Sequence, residues 1–108
     1  MVRKTDKIVN SFITMAEKNF SPCRAILFGS RAKGKSKKDS DYDFILISPR
    51  FRKWEWEERT ARAYHAKRDI PAAMDIMDII CLTPEEFEIK KKQIGIIQEA
   101  VREGINIL

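Results

Sequence analysis

The sequence predicts a single domain of the α/β (α+β) class, a small mixed sheet of three to four strands packed on helices. Short apolar runs that read as strands alternate with longer stretches of helical periodicity. Turn residues punctuate the runs at Gly29-Ser30, Ser48-Pro49 and Thr83-Pro84. A chain of 108 residues, 44% of them hydrophobic, can enclose one modest core, so residues 1–108 form one domain.

Thr5 or Asp6 can cap a first helix whose apolar face is Ile8, Val9, Phe12, Ile13 and Ala16, and Ser21-Pro22 ends it. Cys23 to Phe28 is a short buried strand, stopped by Gly29-Ser30. After a basic loop, Tyr42 to Ile47 is a second strand. Trp54 to Arg68 is helical but poor in apolar residues, and Pro71 breaks it. A third strand, Asp78 to Leu82, runs into Thr83-Pro84-Glu85-Glu86, where Thr83 is an N-cap, Pro84 opens the helix and Glu86 closes a capping box. The helix or helix pair that follows is expected to bury Phe87, Ile94, Ile97 and Val101, with a bend near Gly95 and a C-terminal cap at Gly104. The order is α-β-loop-β-α-β-α.

Charge is unevenly spread. Residues 1–50 carry 11 basic and 5 acidic groups, whereas residues 51–108 carry 10 and 11, so the net charge of +5 comes from the first half. Arg31, Lys33, Lys35, Lys37 and Lys38 crowd into one loop. Such a run is either a solvated loop or a rim that attracts phosphate, and its flanks decide. No aromatic residue is interleaved with it, which argues against nucleic acid as the primary partner. No apolar stretch approaches the roughly 20 residues of a membrane span, and the charged N-terminus lacks a signal-peptide core, so a cytoplasmic protein without a membrane partner is expected. Cys23 and Cys81 each lie in an apolar run and read as buried thiols, not a disulfide.

Two phosphate-handling patterns share the glycine after the first strand. Gly29 to Ser36 matches the P-loop pattern G-x-x-x-x-G-K-[ST]. A P-loop needs a helix of several turns beginning at Lys35-Ser36, yet the next strand starts by Tyr42 and leaves no room. The rival pattern is Gly29-Ser30, ten residues, then Asp41-Tyr42-Asp43 at the opening of a strand. Strand side chains alternate, so Asp41 and Asp43 share a face and can serve one metal centre. Mg²⁺ takes oxygen ligands and keeps positions open for substrate phosphates. Gly29 lets the backbone approach a phosphate, and the amide and hydroxyl of Ser30 can donate to it. A third carboxylate would complete a two-metal site. Asp75 and Asp78 are three apart and would face opposite sides of one strand; Asp78, which directly precedes an apolar run as Asp43 does, is the better placed.

Gly29-Ser30, the spacer, Asp41-Tyr42-Asp43 and the later stretch from Asp78 to Phe87 resemble the minimal nucleotidyltransferases of the polymerase β superfamily, the small partners of HEPN proteins. The resemblance runs from about Cys23 to Gly104, except for residues 50–70. It implies a polymerase-β-like sheet packed on helices and transfer of a nucleoside monophosphate, AMP from ATP in the expected case, to an acceptor hydroxyl. It also implies two Mg²⁺ ions, with Mn²⁺ as a substitute, held by Asp41, Asp43 and Asp78, and triphosphate contacts from Gly29, Ser30, Arg31 and Lys35. The acceptor it implies is a protein, a HEPN-type toxin that the chain neutralises as an antitoxin; a hetero-oligomer or a homodimer is the expected assembly.

A non-catalytic module that binds nucleotide or partner is the main alternative, and a P-loop NTPase a lesser one. Arg59 and His65 have the R-x5-H spacing of a ribonuclease pair, but that chemistry belongs to all-helical domains and this chain has strands. His65 reads as an exposed helix residue, and Trp54, Trp56 and Tyr64 as packing residues with one Trp open to a partner.

Overall fold

A computed structural model describes residues 7–34, 41–70 and 77–108. The order is α1 (Lys7–Phe20), β1 (Arg24–Phe28), β2 (Tyr42–Ile47), a 3-10 turn (Pro49–Lys53), α2 (Trp56–Ala66), a second 3-10 turn (Lys67–Asp69), β3 (Met77–Leu82), α3 (Pro84–Lys90), α4 (Ile96–Glu103) and β4 (Ile105–Asn106). Four strands form one mixed sheet in the order β3-β2-β1-β4. β1 pairs antiparallel with β2 and β4, while β2 and β3 run parallel. An antiparallel β1–β2 pair removes the P-loop reading, because that unit joins parallel strands through a helix.

Alternation along the strands divides the core into two layers. Ala25, Leu27, Phe44, Leu46, Ile79 and Cys81 face Val9, Phe12, Met15 and Ala16 of α1 and Ala63 and Ala66 of α2. Phe12 stacks flat on Phe44 with ring centroids 3.8 Å apart. Ile26, Ile45, Ile47 and Leu82 face Phe87 of α3 and Ile97 and Ala100 of α4. Among the described residues no helix is long and apolar enough to cross a membrane. Both cysteines are free thiols.

Caps explain the boundaries. Ser48, fully buried, accepts from the Arg50 amide and donates to Phe20 O at 2.7 Å, which joins the 3-10 turn to the end of α1. At α3 the expected capping box is present: Glu86 N donates to Thr83 Oγ1, and Thr83 N to Glu86 Oε1.

Several expectations change. Met15 and Phe20 are fully in the α1 core, whereas Ile8 and Ile13 are only partly buried. Ile94 is 98% exposed because it lies in the turn between α3 and α4, and Val101 is 43% exposed because α4 buries the Ile97–Ala100 side and leaves Val101 beside it open. Gly104 ends α4 with extended backbone, φ −83° and ψ 178°, not the left-handed cap expected. Its requirement is space: a Cβ there would lie 2.8 Å from the Leu27 carbonyl oxygen. That close approach lets the last residues return as β4, a strand too short to show a period. The capping residues Thr5 and Asp6, the breaker Pro71, and Asp75 lie outside the described residues.

Candidate active site

Asp43 follows from the register of three strands. It is opposite Phe28 at the end of β1 and opposite Asp78 in the parallel β3. On β2 it shares a face with Ile45 and Ile47, and on β3 Asp78 shares one with Ile80 and Leu82, so both carboxylates continue the α3–α4 face past its apolar rows. Asp41 lies two residues before Asp43, exposed, just ahead of β2. The pair expected from spacing is thus joined by Asp78 through strand pairing.

Gly29 closes the site from β1. Its φ of +76° favours glycine, and a Cβ there would lie 2.5 Å from Asp43 Oδ2. The backbone after β1 therefore lies directly on the Asp43 carboxylate. The amides of Ala32 and Lys33 both donate to Gly29 O, at 3.1 and 3.3 Å, winding residues 29–33 into a short turn. Ser30 stands exposed at its start, and Ala32 is buried beneath it. Arg31 lies over the Tyr42 ring, 4.3 Å from the centroid, and Lys33 Nζ is 3.0 Å from Glu103 on α4. Lys35 lies outside the described residues.

The electrostatics match this crowding. Burial raises the pKa of Asp43 above the ordinary carboxylate value, and the charges of Asp78 and Asp41 raise it further. The three carboxylates offer oxygen donors alone, the ligand chemistry that a hard divalent cation takes. Among the described residues no three His, Cys, Asp or Glu side chains gather tightly enough to hold one ion. The cavity next to Gly29, about 200 Å³, is lined by Phe28, Lys33, Ile96, Glu99, Ala100 and Glu103, without Asp41, Asp43 or Asp78.

Tyr64 is the neighbour that sequence reading missed. It lies half-buried on α2, its hydroxyl accepts from the Ile79 amide at 3.4 Å, and the neighbouring Asp78 charge bears on it. Burial raises the Tyr64 pKa most, with a smaller push from the Asp78 charge against the lowering Ile79 contact. Behind the ring, buried Lys67 places Nζ 4.1 Å from the centroid and donates to Met77 O at 3.2 Å. A single helical tyrosine carries no pattern that distinguishes it from core packing, so no signal could have found it.

Arg59 and His65 are separated in role. Arg59 is buried, donates to Trp54 O at 2.9 Å and meets Glu86 at 2.5 Å, whereas His65 is exposed with Arg68 at 3.3 Å. Trp54 is half-buried against the core, and Trp56 is 48% exposed.

A four-stranded mixed sheet with a glycine turn pressed on one carboxylate and a second carboxylate in register defines a nucleotidyltransferase-type domain. Residues 10–108 match the family described as "Polymerase beta, Nucleotidyltransferase", and the chain belongs to that family. It is 36% identical over 72 residues to a probable protein adenylyltransferase, MntA, of Haemophilus influenzae. That match takes in 67% of this chain and 62% of the relative, so the chain spans less than two thirds of the relative's length. Among solved structures it is similar to one from Sulfolobus solfataricus assigned as a nucleotidyltransferase, with TM-score 0.61 and 20% identity over 93% of this chain and 76% of the other. It is also similar to a toxin–antitoxin structure with AMP-PNP, with TM-score 0.62 and 17% identity over 93% of this chain and 72% of the other. The two structures show a shared fold.

Proposed function

We propose that this chain is a Mg²⁺-dependent nucleotidyltransferase that moves AMP from ATP to a hydroxyl of a partner protein in the cytoplasm, and that the partner is a HEPN-type toxin which the transfer neutralises. The observation that carries the reading is the register of Asp43 with Asp78 on a rim closed by Gly29. The MntA relative, by name a protein adenylyltransferase, supports a protein acceptor, and the AMP-PNP in the toxin–antitoxin structure supports an adenine nucleotide donor.

Asp41, Asp43 and Asp78 would hold the ions, two in number, with Mn²⁺ able to substitute. Divalent ions there supply charge that draws in the triphosphate and stabilises departing pyrophosphate. Gly29 presents backbone without a side chain to the phosphates, and Ser30 offers its hydroxyl and amide at the start of the turn. Arg31 and Lys35 balance triphosphate charge. Asp78 assists in taking the proton from the acceptor hydroxyl, and Tyr64 fixes the direction of its carboxylate.

Purified protein with Mg²⁺ and host lysate, given ATP labelled at the α- or the γ-phosphate, tests this directly. The expected outcome is α-label alone on a protein acceptor, lost in Asp43→Ala. A second reading, a binding module that neutralises its partner by occupancy, is favoured by the spread of the carboxylates, since no three gather round one point among the described residues. Equal neutralisation of the partner by wild type and an Asp41→Ala/Asp43→Ala double variant would select that reading.

A further inference from the structure

Ile96, Glu99, Ala100 and Glu103 stand at i, i+3, i+4 and i+7 on α4, one stripe of the helix. Together with Phe28, Gly29 and Lys33 they line the cavity of about 200 Å³ beside the glycine turn. Small-molecule sites combine apolar walls with a few placed polar groups, and this cavity has that make-up. Phe28 and Ala100 are apolar, and so is Ile96, which is 57% exposed at the start of α4. Lys33 and Glu103 meet at 3.0 Å and neutralise one another. Glu99 is exposed and forms no ion pair among the described residues, so it is the unbalanced charge of the lining.

The cavity continues the candidate active site. Gly29 belongs to both: it lines the cavity, and a Cβ on it would lie 2.5 Å from Asp43 Oδ2. A nucleotide whose phosphates lie at the turn after Gly29 has its base one ribose away. The unbalanced carboxylate makes this cavity a poor place for phosphate and a good one for an apolar ring that carries a hydrogen-bond donor, because a carboxylate only accepts. Adenine offers an amine on the edge of its six-membered ring. Hypoxanthine and guanine carry a carbonyl oxygen at the same position, which would set acceptor against acceptor.

We propose that this cavity receives the nucleobase of the donor nucleotide and that Glu99 selects adenine by accepting a hydrogen bond from its exocyclic amine, an assignment that rests on the transferase reading above. Phe28 and Ile96 supply apolar contact to the ring, and Glu99 determines specificity without touching the transferred phosphate.

Isothermal titration in Mg²⁺ with ATP, inosine triphosphate and inorganic tripolyphosphate separates base from phosphate. Wild type is expected to prefer ATP to inosine triphosphate by roughly tenfold or more, since the two differ at the amine that Glu99 meets. Glu99→Gln, whose amide can turn either its oxygen or its nitrogen to the ring, is expected to bring the two affinities together with an unchanged melting curve. Their ratio cancels any uniform gain from deleting a negative charge near the phosphates. Ile96→Ser is expected to weaken both nucleotides and leave tripolyphosphate binding as it was. A wild type that binds the two nucleotides alike, a preference that survives Glu99→Gln, or nucleotide affinities indifferent to Ile96→Ser overturns the base site and leaves the transferase reading standing. A wild type that binds neither nucleotide nor tripolyphosphate overturns both.

Discussion

Asp43 shows how a single residue sets stability against function. Its carboxylate is half-buried and repelled by Asp78 and Asp41. Asp43→Asn removes one of three like charges and is expected to stabilise the metal-free protein at neutral pH by about 0.5–1 kcal/mol, a few degrees of melting temperature. The same change should abolish most of the stabilisation that added Mg²⁺ gives to the wild type. Thermal melts in chelator and in Mg²⁺ check both signs, and a destabilised Asp43→Asn protein in chelator would contradict the argument. Tyr64→Phe keeps the ring over Lys67 and deletes only the hydroxyl beside Asp78. The expected outcome is a roughly tenfold loss of kcat, about 1.4 kcal/mol, with little change in KM for ATP.

At the scale of the element, α3 is held by its first turn. Burial pushes the Glu86 carboxyl up, but its hydrogen bond from Arg59 and the Thr83 amide outweigh this and hold it below the ordinary value. A lowered folded pKa makes this contribution complete above the ordinary glutamate value near 4.5 and lost as pH falls through the folded value. Stability curves at successive pH should therefore show an acid-side decline that is shallower in Glu86→Gln, while Thr83→Ala costs about 1 kcal/mol at neutral pH. This cap was legible in the sequence because capping is a local code of four residues. The same holds for β2, whose ends at Tyr42 and Ile47 follow from its apolar run and Ser48-Pro49. Ile94 was misplaced because it falls in the turn before Gly95, where no helical stripe runs, and Val101 because α4 rests on Ile97 and Ala100, which leaves Val101 at the edge of the stripe. β4 had no local signal at all: it exists because Gly104 passes close to Leu27. For the site, spacing revealed Asp41 with Asp43, but only the parallel register aligned Asp78, and Tyr64 depends on the docking of α2 against β3.

For the molecule as a whole, Cys81 reports whether the two core layers open together. It lies one residue from the end of β3, fully buried, in the layer that α1 and α2 cover. Burial pushes its thiol up to about 12, against a smaller lowering from the Arg59 charge, and its sulfur approaches Arg59 O at 3.9 Å. A thiol so raised and enclosed supplies almost no thiolate at neutral pH, so modification requires opening of the layer. Cys23, before β1, is only partly buried; burial and the Glu17 charge raise its pKa as well, but it needs no opening of the sheet. The native protein treated with a thiol reagent should therefore react in two phases, Cys23 first. Because α2 is joined to α3 through Arg59 and Glu86, detaching the helix that covers Cys81 also breaks the second layer. The slow phase should then carry the free energy of global unfolding and shift equally with Thr83→Ala, a substitution on the opposite face. A Cys81 rate unmoved by Thr83→Ala would mean that α2 opens by itself, with the two layers uncoupled.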